Sequence, residues 1–199
     1  MEALVKKYRQ KFRKAREETG RWDELQSRLV SEFRDASSII GRLPIIRDFD
    51  NYGMLKSMDG ILQALVGKQM ASLQTIFVSM NNTLGEFHGV VSQLERLQHE
   101  GMQLVKGASS SKLSTKQLQL RVGVNPCLAD CENGLMLLHQ MYSSEYKLKS
   151  SIVSALSELL SKPSFSDLGA LQQLLVDQPN IPVDKVALIF DTIFADETC

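Results

Sequence analysis

The chain has 199 residues, of which 43% are hydrophobic, 23% are charged and 7% are aromatic, and its formal net charge is zero. This composition excludes wholesale disorder, and the small aromatic fraction and the five prolines argue against an all-β fold. A neutral chain has no overall attraction for nucleic acid or for an anionic membrane, so only a local patch could bind either one. Because no run of about 18 uncharged apolar residues is present, no membrane span is expected.

The cysteines and the first residues of the chain predict its compartment. There are three cysteines, an odd number, and the segment that begins Met1-Glu2-Ala3 lacks the apolar core of a secretory signal. Unpaired cysteines without an export signal are typical of a reducing compartment. We therefore expect reduced thiols and a location in the cytoplasm and nucleus.

A first long helix is predicted over residues 2–46. Its apolar residues recur mostly at steps of three or four, which places them on one side of a helix. Gly20 weakens this helix by about 1 kcal/mol relative to alanine, but the periodicity resumes immediately. Pro44 disfavours helical geometry at Leu43, so the helix is expected to end or kink there, before a turn at 47–53. The apolar stripe consists of Leu4, Tyr8, Phe12, Ala15, Trp22, Leu25, Leu29, Phe33, Ala36, Ile40 and Leu43.

A second long helix is predicted over residues 54–105, which contain no proline. At 1.5 Å per residue it would span roughly 75 Å, so it needs antiparallel helices or another protein along its length. Gly60, Gly67, Gly85 and Gly89 lie inside it, and we expect bending, with a neighbouring helix approaching closely at one or two of these glycines. Its stripe consists of Met58, Leu62, Leu65, Leu73, Ile76, Met80, Leu84, Phe87, Val91, Leu94 and Leu97.

The remaining residues predict a linker and three further helices. Residues 106–123 include a Gly- and Ser-rich stretch that is typical of flexible linkers. A long helix follows over 126–161, in which Glu145 and Lys149 have the i,i+4 spacing of an ion pair. Two short helices are predicted over residues 167–177 and 183–195.

These elements define the predicted architecture. The chain is expected to consist of N-terminal helical arms over 1–105, a linker over 106–123 and a C-terminal helical region over 124–199. The predicted fold class is all-α: an elongated bundle of three long antiparallel helical arms with a small C-terminal helical pair.

No motif predicts catalysis or cofactor binding. Cys127 and Cys131 are four residues apart and His139 lies two turns further on, but one straight helix cannot wrap around a tetrahedral metal ion. The chain has no phosphate-binding glycine loop, nucleophile elbow or paired-histidine zinc motif. We therefore predict no catalytic residues, no cofactor and no metal site, and we expect that the protein is not an enzyme.

A cluster of basic residues lies in the first helix. On a helix these residues cover most of the polar circumference, so they could contact RNA phosphate or an acidic protein surface. We prefer the interpretation as a solvated helical face, and direct contact with nucleic acid is not expected. The cluster consists of Lys6, Lys7, Arg9, Lys11, Arg13, Lys14 and Arg16.

The apolar stripes favour a scaffold or adaptor. Three long helices with a small C-terminal pair are expected to leave an apolar face uncovered, and a partner helix is the simplest way to cover it. The methionines along these helices give adaptable contact surfaces.

Four blocks in the chain resemble a known family. They run in the same order as in that family and cover most of the chain. The family is the AIRIM-type ribosome maturation factors, small helical subunits that interact with AAA+ ATPases and were formerly classed as a casein-kinase-substrate family. The blocks are Glu2-Ala3-Leu4 with Gly20-Arg21-Trp22; Gly67-Lys68-Gln69-Met70 with Ile76–Met80; Pro126–Asp130 with Tyr142 and Glu145–Ile152; and Asp167-Leu168, Gln172 and Leu174 with Phe194–Glu197.

The resemblance implies a non-catalytic subunit of a AAA+ ATPase complex that acts in cytoplasmic pre-60S ribosomal maturation. The implied partners are the ATPase, a second small helical subunit and, indirectly, the pre-60S particle, without a membrane. Two alternatives remain: the sister helical subunit of the same assembly, and a generic coiled-coil adaptor in trafficking or cytoskeletal complexes.

Two residue-level hypotheses accompany this resemblance. Trp22 is expected to anchor the first helix to the bundle. A segment of the second helix is expected to bind the partner subunit, through Lys68, Gln69, Met70, Leu73, Ile76, Phe77 and Met80.

Overall fold

The computed structural model describes residues 2–108, 126–160 and 164–195. Most of the predicted linker at 106–123 lies outside the described residues. Within them the regular elements are all helices, so the predicted all-α class is confirmed, with three long helices and two short C-terminal ones. The elements are α1 (Glu2–Arg47), a 3-10 helix (Phe49–Ser57), α2 (Ile61–Ala108), α3 (Leu128–Glu158), α4 (Phe165–Asp177) and α5 (Val183–Phe194).

The turn after α1 differs in detail from the expectation. α1 contains Pro44 and continues to Arg47, and the amide of Asp48 still donates to the carbonyl of Pro44 at 3.1 Å. The Asp48 carboxylate then accepts from the amide of Asp50 and caps a 3-10 helix. α2 begins at Ile61 rather than at residue 54, because Gly60 has a φ of 78°, which is incompatible with a continuing right-handed helix.

The glycines of α2 do not mark close approaches as predicted. In the described part of the chain, no atom outside the local backbone lies within 4 Å of a Cβ built on Gly60, Gly67, Gly85 or Gly89, so that prediction is wrong. The close approach occurs at Gly101 instead, where a Cβ would lie 3.0 Å from the Tyr8 ring and 3.1 Å from Leu135. The Tyr8 hydroxyl also donates to the carbonyl of Gly101 at 2.7 Å, so a side chain at this position would push α1 and α3 away.

The described helices form two compact units. The first unit comprises Met1–Glu24, Phe87–Tyr146 and Gln178–Cys199, and the second comprises Leu25–Glu86 and Lys147–Asp177. Each unit therefore takes segments from all three long helices. No helix in the described residues is both long enough and apolar enough to cross a membrane.

The first unit is held together by antiparallel pairing of neighbouring helices. Tyr8 of α1 contacts Gly101 near the end of α2. Nδ1 of His139 in α3 lies within hydrogen-bonding distance, 2.8 Å, of the side-chain amide oxygen of Gln98 in α2. α5 closes the unit, because Phe190 packs edge-on against Phe12 with ring centroids 6.3 Å apart. All of these apolar side chains are buried.

The second unit has its own apolar core, with polar contacts beside it. Apolar residues of α1, α2, α3 and α4 fill it, including Phe33, Met80, Leu156 and Leu175. Beside this core the Glu32 carboxylate accepts hydrogen bonds from Ser79 at 2.6 Å and Thr83 at 3.2 Å, and this fixes the register of α1 against α2.

Candidate interaction surfaces

Trp22 lies at the centre of the first unit, with 1% of its surface exposed. Its ring packs edge-on against Phe87 of α2 and Tyr142 of α3, with centroid distances of 4.4 and 4.9 Å. The indole Nε1 donates to Oε1 of Gln178 at 2.8 Å. One side chain thus contacts three separate segments of the unit. The anchoring role of Trp22 remains a prediction, which its substitution tests.

The structure divides the predicted partner-binding residues into two groups. Leu73 and Met80 are fully buried in the core of the second unit, so a partner could contact them only after displacing that core. The other five residues of the set stay available: Lys68 and Met70 are exposed, and Gln69, Ile76 and Phe77 are half-buried. The partner-binding role of these five residues remains a prediction.

Sequence reasoning missed the most exposed large apolar residue of α2, which is Val78. Val78 is 51% exposed and lies eight residues, about two helical turns, after Met70. Gly67, Ala71 and Gln74 lie on the same side and are also exposed. Between Asp59 and Glu86 the only charged residue is Lys68, and this charge depletion was a signal in the sequence. We call the exposed side formed by Gly67, Met70, Ala71, Gln74 and Val78 the α2 face.

The predicted basic cluster of α1 is partly used within the first unit. Nε of Arg9 donates to the carbonyl of Ile193 at 3.1 Å, and the guanidinium of Arg16 lies over the rings of Phe190 and Phe194. Nζ of Lys11 lies 2.5 Å from the Glu100 carboxylate. The remaining members of the cluster are exposed to solvent: Lys6, Lys7, Arg13 and Lys14.

Three of these lysines converge on one groove between α1 and α2. Lys7, Lys11 and Lys14 line it from α1, and Leu97, Glu100 and Leu104 line it from α2. The hydrogen bond from Lys11 lowers the pKa of Glu100, as do the positive charges of Lys11, Arg96 and Lys14. Glu100 therefore stays ionised at neutral pH, in an environment in which positive charge predominates.

Cys127, which directly precedes α3, and Cys131 in its first turn lie in surroundings typical of structural cysteines. Both are buried, and the Cys127 sulfur accepts a hydrogen bond from the amide of Asp130 at 3.3 Å. Burial raises the pKa of the Cys131 thiol to about 12 from its ordinary value of 9.0. Among the described residues, no group of three or more histidine, cysteine and carboxylate side chains could hold a metal ion.

These thiols are expected to be unreactive in the folded protein. In a Cys199→Ser variant at pH 8, reaction with an aromatic disulfide reagent should be at least about tenfold slower than in urea, because thiolate is the reactive form. Since the folded pKa of Cys131 is raised, its contribution to stability is present below pH 9 and is lost as the pH rises towards 12. Equal rates in buffer and in urea would contradict the burial of both thiols.

Comparison with known proteins gives the family. The family described as CA109-like, ribosome biogenesis protein C1orf109-like, matches residues 2–198, which is nearly the whole chain. No curated protein matches the chain. The resemblance inferred from the four sequence blocks is thereby confirmed. The chain belongs to the CA109-like family of ribosome biogenesis proteins.

Proposed function

We propose that this protein is a non-catalytic helical subunit of a AAA+ ATPase complex that acts in cytoplasmic pre-60S ribosomal maturation. Membership in a family of ribosome biogenesis proteins supports the general role. Its direct partners are the ATPase and a second small helical subunit, and it reaches the pre-60S particle through them. It works in the cytoplasm and nucleus. ATP hydrolysis belongs to the partner.

The observation that carries this proposal is the uncharged α2 face. Solvent-exposed helix faces of soluble proteins are normally polar and charged, whereas the centres of interfaces are depleted of charge and enriched in methionine. On the α2 face Met70 is 37% exposed and Val78 is 51% exposed. Gly67 and Ala71 lie on either side of Met70 in the sequence and lack large side chains, so a partner helix can approach the backbone of α2 closely beside Met70.

Exposed apolar side chains also occur in the 3-10 helix of the second unit and at the residue that follows it. Met54 is 94% exposed, and Leu55 and Met58 are each at least half exposed. Monomeric proteins rarely expose this many large apolar side chains in one short segment, so the segment fits an interaction site. The second subunit is proposed to cover the α2 face and these residues together.

The test uses the tagged full-length protein, purified from its own cells, with identification of the co-purifying proteins by mass spectrometry. A Met70→Glu/Val78→Glu variant is expected to reduce recovery of the second helical subunit at least about tenfold, because it would place unpaired charges in the interface. The ATPase is expected to be lost with it. Pre-60S proteins should then disappear as well.

A matched control exists on the other unit. Leu188 and Val183 are 65% and 79% exposed, so a Leu188→Glu/Val183→Glu variant makes the same chemical change on a different helix. This variant should keep the partners, and both variants should retain the helical circular dichroism of the parent. Normal recovery of a AAA+ ATPase and a helical subunit with the Met70→Glu/Val78→Glu variant would reject the α2 face. Recovery of cytoskeletal or trafficking proteins from the parent would reject the function.

A further inference from the structure

The groove lined by Lys7, Lys11 and Lys14 in the first unit has more positive charge than its one carboxylate can neutralise. Lys7, Lys11 and Lys14 are spaced by four and three residues, which places them in one row over about 10 Å of α1. The only acidic residue in the lining is Glu100. Its carboxylate is already engaged by Lys11 at 2.5 Å, and Nε of Arg96 lies 3.7 Å away.

The outer lysines of the row are available to a ligand. Both Lys7 and Lys14 are exposed, and neither forms an ion pair with a carboxylate among the described residues. Three lysines thus line a groove that contains a single carboxylate, and Arg96 lies beside that carboxylate. A row of cations in a groove raises the local concentration of a polyanion and speeds its association. The row of cations therefore fits an anionic chain better than a single small ion.

We propose that this groove binds the phosphate backbone of single-stranded RNA. Its lining cations are lysines, which bind phosphate as point charges, and a positively charged groove can follow the backbone of a single strand. The half-buried Leu104 gives the groove an apolar side against which an unpaired base can lie. The inference rests on the proposed function, because that function brings the protein to an RNA-rich particle.

The structure places the residues of the basic cluster in two different environments, which the sequence did not distinguish. In the sequence the basic residues surround the helix, which is typical of a solvated face. In the folded unit Arg9 and Arg16 point to α5 and are used there, whereas Lys7, Lys11 and Lys14 share one groove on the α2 side. Direct contact with nucleic acid, which the sequence did not lead us to expect, becomes the best use of this groove.

Binding is measured by the fluorescence anisotropy of a labelled single-stranded RNA oligonucleotide with the full-length protein. A Lys7→Glu/Lys14→Glu variant should weaken binding at least about tenfold, because two phosphate contacts are lost and repulsion is added. A Lys147→Glu/Lys185→Glu variant has the same net charge and should bind within about twofold of the parent. Both control lysines are exposed and lie outside the groove.

Two further measurements separate the groove from general charge effects. Glu100→Gln removes the only acid of the lining and should strengthen binding, which a misfolded variant would not do. With a net excess of three cations, the affinity of the parent should fall about 18-fold between 50 and 200 mM salt, from a slope of about −0.7 per neutralised phosphate. An unchanged affinity with Glu100→Gln, or equal loss in both lysine variants, would overturn the proposal.

The alternative ligand class is an acidic protein segment. If a labelled polyglutamate peptide binds the groove and RNA does not, the proposal of RNA is overturned. The RNA-binding test can also be distinguished from the partner test, because the Lys7→Glu/Lys14→Glu variant should still co-purify with the ATPase and the helical subunit. Lost RNA binding with retained partners is the supporting result for this variant. Parent protein that recovers its partners but does not bind RNA would reject the groove alone.

Discussion

Replacement of Trp22 by alanine is expected to lower the free energy of unfolding by about 3–5 kcal/mol, the range for large aromatic side chains removed from a packed core. The indole is 1% exposed and contacts rings from α2 and α3, so the cavity has walls on more than one element and cannot close by moving a single side chain. The hydrogen bond to Gln178 is lost as well. Urea unfolding followed by circular dichroism measures the change, since Trp22 is the only tryptophan and fluorescence disappears with it.

The loss of stability in Trp22→Ala should arise from the burial of the side chain, so an exposed aromatic residue serves as the control. Phe49 is an aromatic residue that is 43% exposed, and Phe49→Ala should change stability by less than about 0.5 kcal/mol. Trp22→Phe retains a ring but loses the indole nitrogen, and it should fall between the parent and Trp22→Ala. A Trp22→Ala protein as stable as the Phe49→Ala protein would show that Trp22 does not anchor the first unit.

The second large effect is expected from Gly134→Ala, which should destabilise the protein by about 1–3 kcal/mol through overpacking. A Cβ at Gly134 would lie 2.9 Å from Cζ of Phe12 and 3.2 Å from Cγ2 of Ile189. The Phe12 ring is fully buried and is held by Phe190, so it cannot move aside without disturbing α5. Thermal and urea unfolding of the variant measure the loss.

A glycine on α2 gives a control with the opposite sign. Nothing outside the local helix lies within 4 Å of a Cβ at Gly85. Gly85→Ala should therefore stabilise the protein by about 0.5–1 kcal/mol, because alanine restricts the unfolded chain and is the better helix former. A Gly134→Ala protein that is as stable as the parent, or more stable, would show that the close approach at Gly134 is not a feature of the folded protein.

These predictions concern the first unit, whereas the proposed partner surface lies on the second. The two lines of experiment are therefore independent. A protein destabilised at Trp22 or Gly134 loses its own packing, while Met70→Glu/Val78→Glu adds charge to side chains that are exposed already. Loss of the partner without loss of stability is the signature of an interface residue.

Periodicity in the sequence determined which residues of α1 face the core. The stripe from Tyr8 to Leu43 in α1 is buried, because the 3.6-residue repeat of a helix places these side chains on one side irrespective of what covers them. The positions of proline and glycine predicted the ends of the helices less well. α1 continues through Pro44, since only the Ile40 carbonyl loses its partner there and that loss falls near the end of the helix.

The tertiary structure alone decided which of the polar and apolar residues are available to other molecules. Glu145 and Lys149 have the spacing of a simple helical ion pair, yet each is fully buried. The Glu145 carboxylate accepts from the amide and side chain of Asn180, and Lys149 donates to Gln26, all of them far away in the sequence. A repeat within one helix cannot encode such contacts, because they depend on which other segment packs beside it.

The same reason explains the two candidate surfaces. Leu65 and Leu73 belong to one apolar stripe in the sequence, but packing in the second unit buries Leu73 and leaves Leu65 38% exposed. Likewise Lys11 and Arg9 are both basic residues of the same cluster in the sequence. In the folded unit Lys11 pairs with Glu100 of α2, whereas Arg9 donates to the carbonyl of Ile193 in α5. The sequence by itself determined the all-α class, the helix faces and the family. The folded chain decided which parts of those faces remain exposed, because exposure depends on every neighbouring segment.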